Sequence, residues 1–266
     1  MLQQEFILGL KDAILALSLS MMRLGVAFAV IPAFGPSVIP GLIRQVMLLS
    51  LSLFLIPHIL PQLPRPGWDL LAMLPVYAKE AFIGLMLGYL AAVVFWMAES
   101  IGFFIDNQRG ASMAAAFDPM VGGQSSPLGI MLSKAIIALF FATGCFLMLI
   151  QTLYQSYQVW PVFTFFPRLN VAFSSELLRL LDDMIKTGML YACPVIIVLF
   201  FAEFGLGLMN RFAPQLNVFI LSMPIKSGLA MFLFVIYMEF LFDYFKVEFL
   251  RVPNALRLLE HLTYPG

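Results

Sequence analysis

The stretch Leu70–Ile105, LLAMLPVYAKEAFIGLMLGYLAAVVFWMAESIGFFI, decides the fold class. A helix that crosses a bilayer needs about 20 predominantly apolar residues. This run exceeds that length and carries charge only at Lys79, Glu80 and Glu99. It reads as one long helix that is tilted, kinked or extended beyond the hydrocarbon. Outward from it, Ala13–Ile31, Leu42–Leu60, Leu128–Ile150, Met184–Met209 and Leu216–Phe245 repeat the pattern. Apolar runs from end to end predict one all-α domain over residues 1–266.

Composition agrees. The chain is 62% hydrophobic and 11% charged, with a mean hydropathy of +0.95. Soluble domains are about 45–50% apolar and about 25% charged, so much of this surface must meet lipid or other protein. The formal net charge is zero, which leaves no basic field for nucleic acid. Cys145 and Cys193 sit in apolar runs without metal-ligand spacing and read as small buried hydrophobes. His58 and His261 suggest no metal or catalytic role, and no metal or other cofactor is expected. Glu5, Lys11 and Asp12 precede the first apolar run without a signal-peptide pattern, so that run is expected to be kept.

Proline and glycine supply the breaks. Pro32, Pro36 and Pro40 separate the first two runs, and Pro61, Pro64 and Pro66 make the next turn. The longest polar stretches are Asp106–Pro127 and Gln151–Asp183, the second with aromatic residues of the kind found at membrane interfaces. Basic residues are spread thinly over successive connections. Only the C-terminal Lys246, Arg251 and Arg257 weakly favour a cytoplasmic end.

Charges within the apolar runs carry more information. Arg23, Arg44, Lys79, Glu80, Glu99, Lys134, Glu203, Lys226 and Glu239 all lie inside or near the ends of such runs. A charge at the bilayer centre costs about 2.5–3.5 kcal/mol on insertion scales, so these groups pair, line water or meet other subunits. Arg23, Arg44, Lys79 and Glu239 are close enough to segment ends for snorkelling to be an alternative. Glu203 and Lys226 flank a broken stretch and are expected to pair or to act. Gly84 and Gly88 form a GxxxG pattern that permits close helix approach.

Two stretches stand out. In the first, Glu99–Pro119 followed by Gly122–Pro127, Glu99 and Asp106 share a helix face and Asp106 can pair with Arg109 three residues on. A run of Gly, Ser and Ala then leads to Phe117, Asp118 and Pro119. In the second, Glu203–Lys226, Pro214 and Pro224 are expected to interrupt helix, and Glu203 shares a face with Asn210. Broken backbone at membrane depth is tolerated only inside protein or beside water. Arg211, Gln215, Asn217 and Lys226 would offer polar groups there.

At these stretches the chain resembles a known family. Asp106-Asn-Gln-Arg-Gly-Ala-Ser and Asn210-Arg-Phe-Ala-Pro-Gln-Leu-Asn-Val-Phe, continuing into Ser222-Met-Pro-Ile-Lys, look like the SctT (YscT, SpaR, HrcT) export-gate proteins of type III secretion, whose flagellar relative is FliR. The resemblance covers nearly the whole chain. It implies helical hairpins with kinked helices, assembled with SctR and SctS into a closed, pseudo-hexameric export gate in the bacterial inner membrane, raised toward the periplasm. SctU would wrap the gate and the SctV ring would lie nearby. It further implies a plug in the loop 106–127, with Asp106, Asn107, Gln108, Arg109, Gly110, Phe117, Asp118 and Pro119 as its residues. A kinked hairpin over 203–226, with Glu203, Asn210, Arg211, Pro214, Gln215, Asn217, Pro224 and Lys226, would line the channel near its entrance. The cargo would be unfolded protein.

The alternative from another class is a secondary transporter or channel with discontinuous helices, which predicts a repeat between halves that the sequence does not display. An intramembrane enzyme is disfavoured, since HExxH, GxSxG and His/Cys clusters are lacking.

Overall fold

The computed structural model describes residues 2–63, 70–110, 126–164, 171–212 and 218–263. These form eight α-helices and, among the described residues, no strand. The helices are α1 (Leu2–Val30), α2 (Gly41–Leu53), α3 (Ile56–Ile59), α4 (Leu70–Arg109), α5 (Pro127–Ala142), α6 (Cys145–Val159), α7 (Val171–Phe212) and α8 (Val218–Thr263). The all-α expectation holds. Among the described residues, four helices are long and apolar enough to cross a membrane, or up to six if each bent pair counts as one span.

The expected segments change in instructive ways. Leu42–Leu60 is a bent pair, α2 and α3, turning by 44° where Pro57 opens α3. Leu128–Ile150 is also a pair, α5 and α6, turning by 74°. There Gly144 takes φ 77° as the residue before α6, a left-handed conformation that costs glycine little. Conversely, Pro224 does not interrupt helix: α8 runs through it. Proline already holds a helical φ, so the helix continues although Pro224, its seventh residue, gives up one intrahelical donor. α7 likewise continues through Pro194. The polar stretch Gln151–Asp183 is helical on both flanks, in α6 and α7.

The chain divides into two compact units. The first comprises Met1–Ala92, Gly144–Glu176 and Leu250–Gly266. Its core includes Leu19, Leu24, Phe28, Phe34, Ile59 and Ile83, all essentially buried, with the Phe28 and Phe34 rings stacked 3.9 Å apart. Gly84 and Gly88 let α4 lie against the backbone of α1: a β-carbon at Gly88 would stand 2.8 Å from the Ala27 carbonyl oxygen. The GxxxG pattern therefore does pack helix on helix.

The second unit comprises Val93–Thr143 and Leu177–Phe249. Phe95, Phe140 and Phe249 form its aromatic centre, with ring centroids 5.2–5.4 Å apart. Gly102 brings α4 onto the first turn of α5, where an added β-carbon would stand 2.6 Å from the Leu128 carbonyl carbon.

Candidate functional site

In the second unit, the last turn of α4 carries the first predicted group. Asp106 is buried, at 3% exposure. Its carboxylate accepts from Arg109 Nε at 2.6 Å, from Ser126 Oγ at 2.7 Å and from the Leu128 backbone N–H at 2.9 Å. Ser126 in turn caps α5, its hydroxyl oxygen accepting from the Gly129 N–H at 3.0 Å. One carboxylate thus ties the end of α4 to the start of α5. Gly110 closes the turn with φ 87°, and its N–H reaches the Asn107 carbonyl at 3.2 Å.

The second predicted group meets the same turn. Lys226, on α8, is buried at 6% exposure. Its ammonium lies 3.3 Å from the Glu203 carboxylate on α7 and donates to the Gln108 carbonyl oxygen at 3.3 Å. The final carbonyls of a helix lack intrahelical partners and form its negative end, which a cation complements. Asn107, Gln108, Gly110, Glu203, Ser222 and Lys226 line a cavity of about 200 Å³. Within it Glu203 remains half exposed, its side chain at 53%.

Most of the predicted polar residues that can be described therefore converge. Asp106 and Arg109 pair as their spacing required, and Glu203 pairs with Lys226. Asn210 and Arg211 are exposed in the last turn of α7 and do not line the cavity. Pro224 is likewise exposed on α8. Phe117, Asp118, Pro119, Pro214, Gln215 and Asn217 lie outside the described residues. Ser126 and Ser222 are additions. Ser126 was legible, because a serine directly before proline and an apolar run is a helix-start signature. Ser222 carried no comparable signal.

The first unit holds a second polar cluster, which corrects the snorkelling alternative for Arg23 and Lys79. Arg23 is fully buried. Its guanidinium grips Glu80 in two bonds of 2.7 and 2.9 Å and donates to Ser156 Oγ at 3.0 Å and the Trp160 carbonyl at 2.9 Å. The Tyr157 ring covers its face at 3.8 Å. Lys79 lies 3.3 Å from Glu80 and donates to the carbonyls of Pro161, Val162 and Thr164. Neither side chain reaches for a membrane surface.

Other charges on the apolar helices of the second unit stay exposed, namely Glu99, Lys134 and Glu239 beside Glu203. Among the described residues, no group of His, Cys, Asp and Glu gathers as metal ligands do.

Residues 14–252 match the family described as bacterial export proteins, family 1. This chain belongs to that family. Among its relatives, Yop proteins translocation protein T of Yersinia pestis is 36% identical over 251 residues, 94% of this chain and 96% of the relative. Surface presentation of antigens protein SpaR of Salmonella typhimurium is 31% identical over 221 residues, 83% and 81% of the two chains. Flagellar biosynthetic protein FliR of Bacillus subtilis is 28% identical over 256 residues, 95% and 97%. The resemblance drawn from the two sequence stretches is therefore a family relationship over nearly the full length. As a member of bacterial export proteins, family 1, with several apolar helices of spanning length, the chain is a multi-pass inner-membrane subunit of an export apparatus. The family is one of export-apparatus components, and such components work in membrane complexes.

Proposed function

We propose that this chain forms, with SctR and SctS subunits, the closed pore through which a type III secretion system exports unfolded proteins, with SctU wrapped around the gate and the SctV ring nearby. The observation that carries the proposal is the exposed charge on apolar helices. Glu99, Lys134 and Glu239 are solvent-facing in the isolated chain. Facing lipid, each would cost about 2.5–3.5 kcal/mol near the bilayer centre. Neighbouring subunits or a water-filled conduit would remove that cost. Such an assembly, raised toward the periplasm, also accounts for the weak charge asymmetry of the connections.

In this reading the connection between α4 and α5 closes the conduit, rooted at Asp106, which lies in the last turn of α4 and not in a loop, and at Ser126. The Glu203–Lys226 pair and the hairpin over 203–226 face the passage near its entrance. Transport then requires gating without bond chemistry: packed apolar groups exclude ions at rest, and a passing chain displaces the loop. The transporter alternative loses its support, because the chain belongs to a family of export proteins.

Deleting part of Gly110–Gly123 tests the pore. In an assembled gate the deletion is expected to raise ion conductance while the subunits still co-purify. Background conductance from such a gate would remove the loop's role as a plug.

A further inference from the structure

The two polar ties of the second unit meet two residues apart on one helical turn, and this has a mechanical meaning beyond the pore reading. Asp106 reaches forward to α5 through Ser126 Oγ and the Leu128 N–H. Two residues later, the Gln108 carbonyl is held by Lys226 of α8, which also lies against Glu203 of α7. α4 approaches α5 closely at Gly102, so its last turn has little freedom to adjust to one neighbour independently of the other.

We infer that the last turn of α4 is a coupling joint: Asp106 and Lys226 each hold it, so that releasing either tie loosens the grip of the other. The alternative is two independent local contacts that share a helix by coincidence. The difference is energetic. Groups in one hydrogen-bonded network show non-additive effects, whereas independent sites add. A displacement at the start of α5 would then be felt in the cavity beside Ser222, although no Asp106 bond enters that cavity. The inference concerns this chain's own helices and stands or falls separately from the pore.

The test reads the cavity from a site that neither tie uses. Ser222, buried at 7% exposure, is changed to cysteine in a full-length chain whose Cys145 and Cys193 are replaced by serine. Its labelling rate by a maleimide is then followed in membrane vesicles. Lys226→Met is expected to raise that rate about tenfold and Lys226→Arg to leave it near the parent. Asp106→Ala is expected to raise it several-fold, and the double variant to exceed Lys226→Met alone by little. Where Asp106→Ala is not recovered in membranes, Ser126→Ala, which removes one of the three groups donating to that carboxylate, is expected to act in the same direction more weakly. An unchanged rate at Ser222→Cys in the Asp106 or Ser126 variant overturns the inference. So does a double variant whose rate is the product of the two single effects. Equal acceleration at a second reporter, Ala98→Cys, at a fully buried position of α4, reports general loosening and also overturns it.

Discussion

Arg23 shows how a charge is made to belong inside an apolar protein. Arg23 and Lys79 bring two positive charges to one carboxylate, Glu80. The surplus is taken up by the carbonyls of Trp160, Pro161, Val162 and Thr164. These follow the C-terminal, negative end of α6, where a cation is favoured. The cluster is therefore a cap as much as an ion pair. Removing one member of a buried pair leaves the other uncompensated, at about 3–5 kcal/mol. Arg23→Met is expected to destabilise the chain by that amount in detergent unfolding, and Arg23→Lys to recover only part of it, since lysine lacks the two-pronged fork. A loss below about 1 kcal/mol for Arg23→Met would show that the cluster contributes little net stability.

At the scale of helices, close approach and bending are the organising features, and they were unequally legible. The length and apolarity of Leu70–Ile105 made α4 readable, because both are local properties of the chain. GxxxG marked a close approach but not its partner, since Gly84 and Gly88 meet residues of α1 that are remote in sequence. The 74° bend at Gly144 was missed because a single glycine in an apolar run is as compatible with a straight membrane helix as with a left-handed turn. Pro224 misled in the opposite direction, since α8 continues through it despite the lost backbone donor. Of the candidate site, the Asp106–Arg109 pair followed from three-residue spacing. The tie from Lys226 to Gln108, by contrast, joins residues 118 apart and depends on tertiary packing. Gly88→Ala is expected to lower stability by about 1–3 kcal/mol through overpacking against Ala27. Gly25→Ala, on α1 with only Leu48 at 4.0 Å, is expected to be neutral or slightly stabilising. Paired thermal melts distinguish them, and equal shifts would remove the special role of the α1–α4 crossing.

Across the whole molecule, the helices differ in how much of themselves the chain covers. Of the most apolar stretch of each, 72% is buried in α4 and 44% in α1, but only 22% in α8 and 17% in α7. α7 and α8 thus depend most on an environment outside the chain. Limited proteolysis of the isolated protein in detergent is expected to cut α7 and α8 first, and the co-purified gate to protect both. Cleavage at equal rates in the two preparations would mean that partner subunits do not cover these helices. The buried Arg23 cluster, finally, imposes an order in time. Arg23 must await Glu80, 57 residues later, and the Trp160 carbonyl, 137 residues later. At bacterial synthesis rates of about 5–20 residues per second these intervals are roughly 3–11 s and 7–27 s. During biogenesis α1 therefore emerges from the ribosome with a guanidinium whose counter-charge has not been made, and it must be sheltered by water or by the insertion machinery until α4 arrives.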